Sequence, residues 1–224
     1  MRAIAKNIWV AEGVFCAWGC AGHTRMTVVR LDNGNLWVHS PIAPTDALVQ
    51  WLKSLGQVAW VIAPNSMHYM YFEKFLAAFP LAQGYVSAAL VRKHARFGAY
   101  QPIQGHVAAW VPLQAHTVQG HGIAETVFYH PPSATLITSD LLYNVGPEAF
   151  WLERITMFLS GAYGRVAVPV YHRLVVTSQN DLAKSLRTIL QWPFQRVIVG
   201  HGQVVEDKAS AQFAQAWAWA IKRG

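Results

Sequence analysis

The sequence predicts an α/β fold of four layers, with two β-sheets packed face to face and helices on both outer faces. Three observations predict this αββα sandwich. Units of strand followed by helix occur in both halves of the chain, and a run of antiparallel-type strands separates them. The composition, 53% hydrophobic and only 13% charged over 224 residues, calls for a large core. No repeat, low-complexity tract or linker divides the chain, so residues 1–224 are expected to form a single domain.

The elements follow in order. IWVAEGV and MTVVRL read as strands, Asp32-Asn-Gly-Asn35 as a hairpin turn, and LWVHSP as a strand ending at His39. Thr45 is placed to cap a helix over DALVQWLKSL that Gly56 closes. VAWVIAP is a buried strand, followed by a helix that starts near Asn65-Ser66, runs to about Ala78 and stops at Pro80. GYVSAA suggests a short strand or loop. VAAWVPL, AHTVQ, ETVFYH and ATLITSD read as strands, the last two joined through Pro131-Pro132-Ser133. Residues 148–159 are helical. Residues 181–191 put Leu182, Leu186, Ile189 and Leu190 on one helical face, which Pro193 ends. RVIVGHG is a strand with a sharp turn, and a last helix spans 207–223. Trp217 and Trp219 lie two apart, so they cannot share a helical face. One of them, with Phe213, is a candidate for exposure or for cover by a second subunit, which would make the protein a homodimer.

Charge and cysteine content narrow the function classes. The net charge of +7 arises from few acids, 11, rather than from many bases, 18. The bases are scattered, with Arg92, Lys93 and Arg96 the tightest group. That argues against a nucleic-acid surface, which clusters its charge, and fits an anionic small molecule equally well. Cys16 and Cys20 have a spacing unlike common zinc knuckles, so they read as reduced, semi-buried thiols. No apolar run approaches the roughly 18–20 residues of a membrane span. MRAIAKNIWV lacks the apolar region of a signal peptide, so a cytoplasmic location is expected.

The candidate chemistry sits at strand ends. Four apolar runs finish on a titratable residue: LWVHSP at His39, ETVFYH at His130, ATLITSD at Asp140 and RVIVGHG at His201. Imidazole and carboxylate converging at strand ends suit zinc or iron. Glu125 reads either as a surface residue or as a partner to a histidine. His23, His94, His106, His116 and His172 match no pattern.

Residues 120–143, from Gly120-His-Gly through Thr138-Ser-Asp-Leu-Leu-Tyr143, resemble the central segment of metallo-β-lactamase-fold hydrolases. There a Gly-His turn leads into a hairpin and a strand ending in Gly-Asp-Leu-Leu-Phe. His121 falls on that family's ligand histidine and Asp140 on its metal-bridging aspartate, with Ser139 in place of glycine. VIVGHG, with His201 between Gly200 and Gly202, is similar to the family's last ligand turn, Val199 replacing proline. The His-x-His-x-Asp-His box would fall on VIAPNSMHYMYF, but Asn65, Met67, Tyr69 and Met70 stand where its ligands would be. His68 is one position out of step. The chain looks most like an uncharacterised subgroup with an Asn and a His in this loop.

The resemblance implies at most one metal, zinc or else iron or manganese, held by His121, Asp140 and His201 with His68 as a substitute ligand. It implies a hydrolase acting on an ester, thioester or phosphoester, with Asn65 and His68 in catalytic roles. Asn65, Tyr69 and Tyr71 would be free to hold a substrate carbonyl or a water. Each residue has a structural alternative: Asn65 as a helix N-cap, His68 as a packed first-turn residue, Asp140 as a turn cap, His201 as a turn histidine bonded to backbone. A protein of this fold that has lost its metal and binds a small ligand or a protein is a second reading, and nucleic-acid processing a third. The loops at 97–104 and 144–151 would set specificity toward an apolar or aromatic ligand.

Overall fold

The computed structural model describes residues 1–17 and 20–222. The first sheet holds β1 (Arg2–Ala5), β2 (Ile8–Ala17), β3 (Cys20–Arg30), β4 (Leu36–His39), β5 (Val58–Ala63), β6 (Gln83–Val86) and β7 (Gln101–Pro102), in that spatial order. The pairs from β1 to β4 are antiparallel, and those from β4 to β7 are parallel. Parallel pairing needs crossovers. α1 (Asp46–Leu55) joins β4 to β5, and α2 (Phe72–Ala78) joins β5 to β6. α3 (Ala88–Lys93) follows β6, capped by Ser87 Oγ, which accepts from Leu90 N.

The second sheet is β12 (Arg196–Ile198), β10 (Thr135–Ile137), β9 (Thr126–His130) and β8 (Gln114–Thr117). A short parallel pair, β11 (Tyr143–Asn144) with β13 (His201–Gly202), stands beside it. α4 (Trp151–Leu159) and α5 (Gln179–Leu190) come between β11 and β12, and α6 (Ala209–Ala216) and α7 (Ala218–Ile221) close the chain.

The period of two in the strands sorts side chains into three apolar layers. In β5, Val61 and Ala63 pack under α1 and α2, while Ile62 points between the sheets. In β9, Val127 and Tyr129 meet the α5 and α6 side, while Phe128 points inward. Leu136 and Ile137, then Val197 and Ile198, divide in the same way. The layer between the sheets centres on Trp37, Trp110 and Phe128. The four-layer αββα expectation therefore holds.

Several local expectations change. VAAWVPL forms a 3-10 turn over Val107–Trp110 rather than a strand, because Trp110 turns in against Trp37, Tyr85 and Phe128. α2 begins at Phe72, not near Asn65. Asn65 instead closes a turn, its Oδ1 accepting from Met67 N at 2.8 Å and His68 N at 2.9 Å. Asparagine stabilises such a turn in competition with the helix. β10 stops at Ile137, three residues before Asp140. The last helix breaks at Trp217 and is described to Ile221; Arg223 lies outside the described residues.

Trp217 and Phe213 are fully buried in this chain's own core, Trp219 packs beside them, and Trp217 Nε1 donates to Leu141 O. They need no second subunit to cover them. Cys16 is an exposed free thiol rather than a semi-buried one, and the Cys20 side chain lies outside the described residues. Among the described residues no helix is long and apolar enough to cross a membrane.

His39 ends β4 inside the sandwich, 5.5 Å from the Trp37 ring and edge-on to Phe128. Burial, with His68 nearby, pushes its pKa down to about 3. Burial likewise holds His172 down to about 4. An unfolded chain binds those protons near the ordinary value of about 6.5. The unfolded state thus carries more protons between about 6.5 and those lowered values, so these histidines make stability fall as pH drops through that window. His39→Phe fits the same stack and should remove close to one proton from the uptake on unfolding. Urea unfolding midpoints followed down through the window measure this; a slope identical to wild type would contradict it.

Candidate metal centre

The site is built where β5, β10 and β12 run out at the same end of the two sheets. Pro64 ends the β5 run, and the Asn65 turn then lifts His68 toward the second sheet. Thr138 keeps one ladder bond to Ile198 O, after which the chain turns away at Ser139 and Asp140. Glu125, just before β9, causes that turn. Its Oε1 accepts from Ser139 N and its Oε2 from Asp140 N, both at 2.7 Å. The β12 chain continues through Gly200 to His201. A side chain at Gly200 would meet His68 Cε1 and Ser139 O at 2.9 Å, so glycine is required there. Gly202, at φ +83°, faces the Asn144 carbonyl with no room for a Cβ.

These turns bring His68, Asp140 and His201 together, the one His/Cys/Asp/Glu trio of metal-binding geometry among the described residues. His68 Nε2 lies 3.2 Å from His201 Nε2 and 3.3 Å from Asp140 Oδ1; His201 Nε2 lies 3.2 Å from the same Oδ1. Three donors about 2.0–2.1 Å from one tetrahedral ion stand about 3.3 Å apart, so this near-equilateral triangle has the size a zinc-type ion needs.

The outer bonds set the tautomers. His201 Nδ1 must donate to its acceptor, the His23 backbone carbonyl, at 2.7 Å. That leaves Nε2 of a neutral His201 as a lone pair. His68 Nδ1 lies 3.0 Å from Ser40 Oγ, which accepts from it in the matching tautomer. Two imidazole lone pairs and a carboxylate oxygen then converge, and a cation must sit among them: a proton or a metal ion. Burial alone would lower the pKa of His68, but the Asp140 charge and hydrogen bond raise it. Ligating histidines commonly donate their second nitrogen to a carbonyl or similar acceptor, as His201 does here and as His68 does in the tautomer that donates to Ser40 Oγ.

Asn65 ties this trio to the fold. Its Nδ2 lies 2.8 Å from Asp140 Oδ2, 3.1 Å from Glu125 Oε2 and 3.0 Å from Ser139 Oγ. It is fully buried. The amide is thus engaged on all sides and has no free atom for a substrate carbonyl; Asn65 positions other groups. Glu125 is equally buried, and burial with the Asp140 charge raises its pKa to about 7, against the backbone N–H groups of Ser139 and Asp140. Tyr143 Oη donates to Asp140 Oδ1 at 2.9 Å. Burial and that carboxylate push the Tyr143 pKa well up, so the phenol keeps its proton.

The other expected residues fall elsewhere. His121 lies outside the trio and stacks on His172, with ring centroids 5.2 Å apart and its buried Nε2 without a partner among the described residues. His130 bonds Ser133 Oγ at the far end of β9, and His39 is shut between the sheets. Tyr69 bonds His94 and Tyr71 donates to the Val14 carbonyl, so neither faces the trio as a free donor. Of the two specificity loops, Phe97 is buried in the core, while Phe150 stacks on His23 at 4.3 Å. Sequence reasoning missed Tyr143, three residues after Asp140, and the carbonyl of His23, which no pattern marks.

Comparison with known proteins agrees with this architecture. A family model described as "Domain of unknown function (DUF4336)" matches residues 5–90. No curated protein matches the sequence. The structure of TMB-1 superposes with a TM-score of 0.67 at 18% identity, over 98% of this chain and 96% of that one. The metallo-β-lactamase FIM-1 from Pseudomonas aeruginosa, solved in its mono-zinc form, gives 0.65 at 13% identity over 98% and 95%. A metallo-β-lactamase from Erythrobacter litoralis gives 0.66 at 12% identity over 97% and 95%. With TM-scores of 0.65–0.67 over nearly the full length of both chains, the chain adopts the metallo-β-lactamase fold.

Proposed function

We propose that the protein is a metal-dependent hydrolase of this fold, with one zinc, iron or manganese ion held by His68, Asp140 and His201 and an ester, thioester or phosphoester as substrate. The triangle of donor atoms with edges of 3.2–3.3 Å carries this reading. An ion bound by three protein groups supplies Lewis acidity and a water acidified toward neutrality. FIM-1, solved in a mono-zinc form, is a precedent for one ion in a chain of this fold. The metal set therefore exchanges the expected His121 for His68.

The chain's own residues prepare that centre. His23 O and Ser40 Oγ aim the two Nε2 atoms. Tyr143 Oη and Asn65 Nδ2 hold one Asp140 oxygen each, which fixes the carboxylate plane. Glu125 holds the backbone of Ser139 and Asp140 and stays sealed from solvent, so its role is positional. In the proposed site His68 is a ligand and Asn65 a positioning residue. Asn65, Met67, Tyr69 and Met70 in place of box ligands favour a second reading, a ligand-binding protein without turnover.

Metal analysis of protein purified without chelator should find about one equivalent of metal, as one three-ligand site requires. Asp140→Ala and His201→Ala should each lose it, and chelator should lower the melting temperature of wild type only. Hydrolysis of model esters, thioesters and phosphodiesters should stop with chelator and return with added zinc or manganese. A protein that takes up no metal ends the proposal and supports the second reading; one that binds metal but turns over none of these substrates ends the hydrolase reading.

Asn65→Ala strips a shared donor from two buried carboxylates. It should cost about 3 kcal/mol or more in urea unfolding, since buried hydrogen bonds to charged groups contribute about 1.5–3 kcal/mol each. It should also weaken metal binding. A loss below about 1 kcal/mol, the size of an ordinary neutral hydrogen bond, would show that water replaces the amide.

A further inference from the structure

α4 is an amphipathic helix mounted with its apolar side outward. Trp151, Ile155, Phe158 and Leu159 recur at the spacing of one helical face, and three of them are 67%, 71% and 76% exposed at Trp151, Phe158 and Leu159. The inward face is mixed, Met157 packing with Tyr143, Val145, Ala162 and Ala167. Glu153 turns in to bond the His23 ring and backbone, beside Met157 and Ser160. Ser160 O accepts from Val170 N, which joins the end of α4 to the 3-10 helix Val170–Val175. Leu174 there is 85% exposed. Isolated exposed apolar residues are ordinary, but a contiguous patch of this kind marks an interaction surface.

Its charge identifies the occupant. Between Glu148 and Asp181 the sequence holds three arginines and one acid, Glu153. Arg154, Arg165 and Arg173 are exposed, and no carboxylate pairs with them among the described residues. A second copy seated face to face would bring the two Arg154 side chains to one interface, with Glu153, the one acid of α4, turned inward to His23. An anionic bilayer surface meets both halves of the pattern: tryptophan and phenylalanine settle at the acyl–headgroup boundary, and arginine reaches the phosphates.

We infer that this face of α4 docks the protein on anionic lipid bilayers without spanning them. The inference stands apart from the hydrolase reading, since it needs no turnover. It does place the candidate centre close to the lipid. Glu153 on the inner side of α4 holds His23, whose carbonyl orients His201, and His172 of the 3-10 helix stacks on His121.

The test is sedimentation of the full chain with vesicles of phosphatidylcholine alone, and with phosphatidylglycerol mixed in. Binding should need phosphatidylglycerol and weaken with salt. The triple variant Trp151→Ser/Phe158→Ser/Leu159→Ser and the triple variant Arg154→Gln/Arg165→Gln/Arg173→Gln should each lose binding about tenfold or more, as both contributions are required. Lys53→Gln, on α1, should bind as wild type. The altered side chains are exposed, and unchanged melting temperatures would confirm that the variants fold. Three outcomes overturn the inference: no sedimentation with anionic vesicles at low salt; full binding by the apolar triple variant; or a dimer in lipid-free solution, seen by light scattering, that the apolar variant dissociates.

Discussion

Two carboxylates, Glu125 and Asp140, are buried side by side where the sheets meet, and the arrangement of the site follows from keeping them there. A buried carboxylate without partners is too costly to remain ionised. Glu125 takes two backbone N–H groups from the chain around Asp140. Asp140 takes Tyr143 and faces two imidazoles. The Asn65 amide bridges both carboxylates, and its oxygen holds the turn that carries His68. Each group satisfies another's hydrogen-bonding need, so loss of one member strands the rest.

The same arrangement explains how His68, Asp140 and His201 come together where the sequence shows a broken metal box. A dinuclear centre in this fold would take ligands from that box, and this chain offers asparagine there. Asparagine cannot supply a charged ligand, but it can donate to one. Its hydrogen bonds leave Asp140 with one oxygen oriented toward the histidines. His68 lies out of step in sequence because the segment is an Asx-type turn and not the first turn of a helix. The short reach of that turn carries its ring to Asp140.

The proposed lipid-facing surface and the candidate centre are linked through α4. Glu153 and Met157 attach the helix by a narrow inner face, and the broad apolar face is left toward solvent. A helix oriented this way does not contribute its largest apolar residues to the core. Its retention on the chain is intelligible if that face meets something other than water.

Much of the fold was legible in the sequence. The apolar strands VAWVIAP and ETVFYH, the Thr45 cap and the turns that carry Asp140 and His201 just beyond β10 and β12 all follow from local periodicity and backbone chemistry, which a chain carries along its length. The four layers follow too, because strands with two apolar faces must be covered on both. What the tertiary structure alone decided lies between residues distant in sequence. That Asn65 would bond Glu125 sixty residues later, that His68 rather than His121 would reach Asp140, and that α4 would face outward are matters of packing. Local pattern shows that a side chain can bond or that a helix is amphipathic, but the partner and the direction exist only once the two sheets have come together.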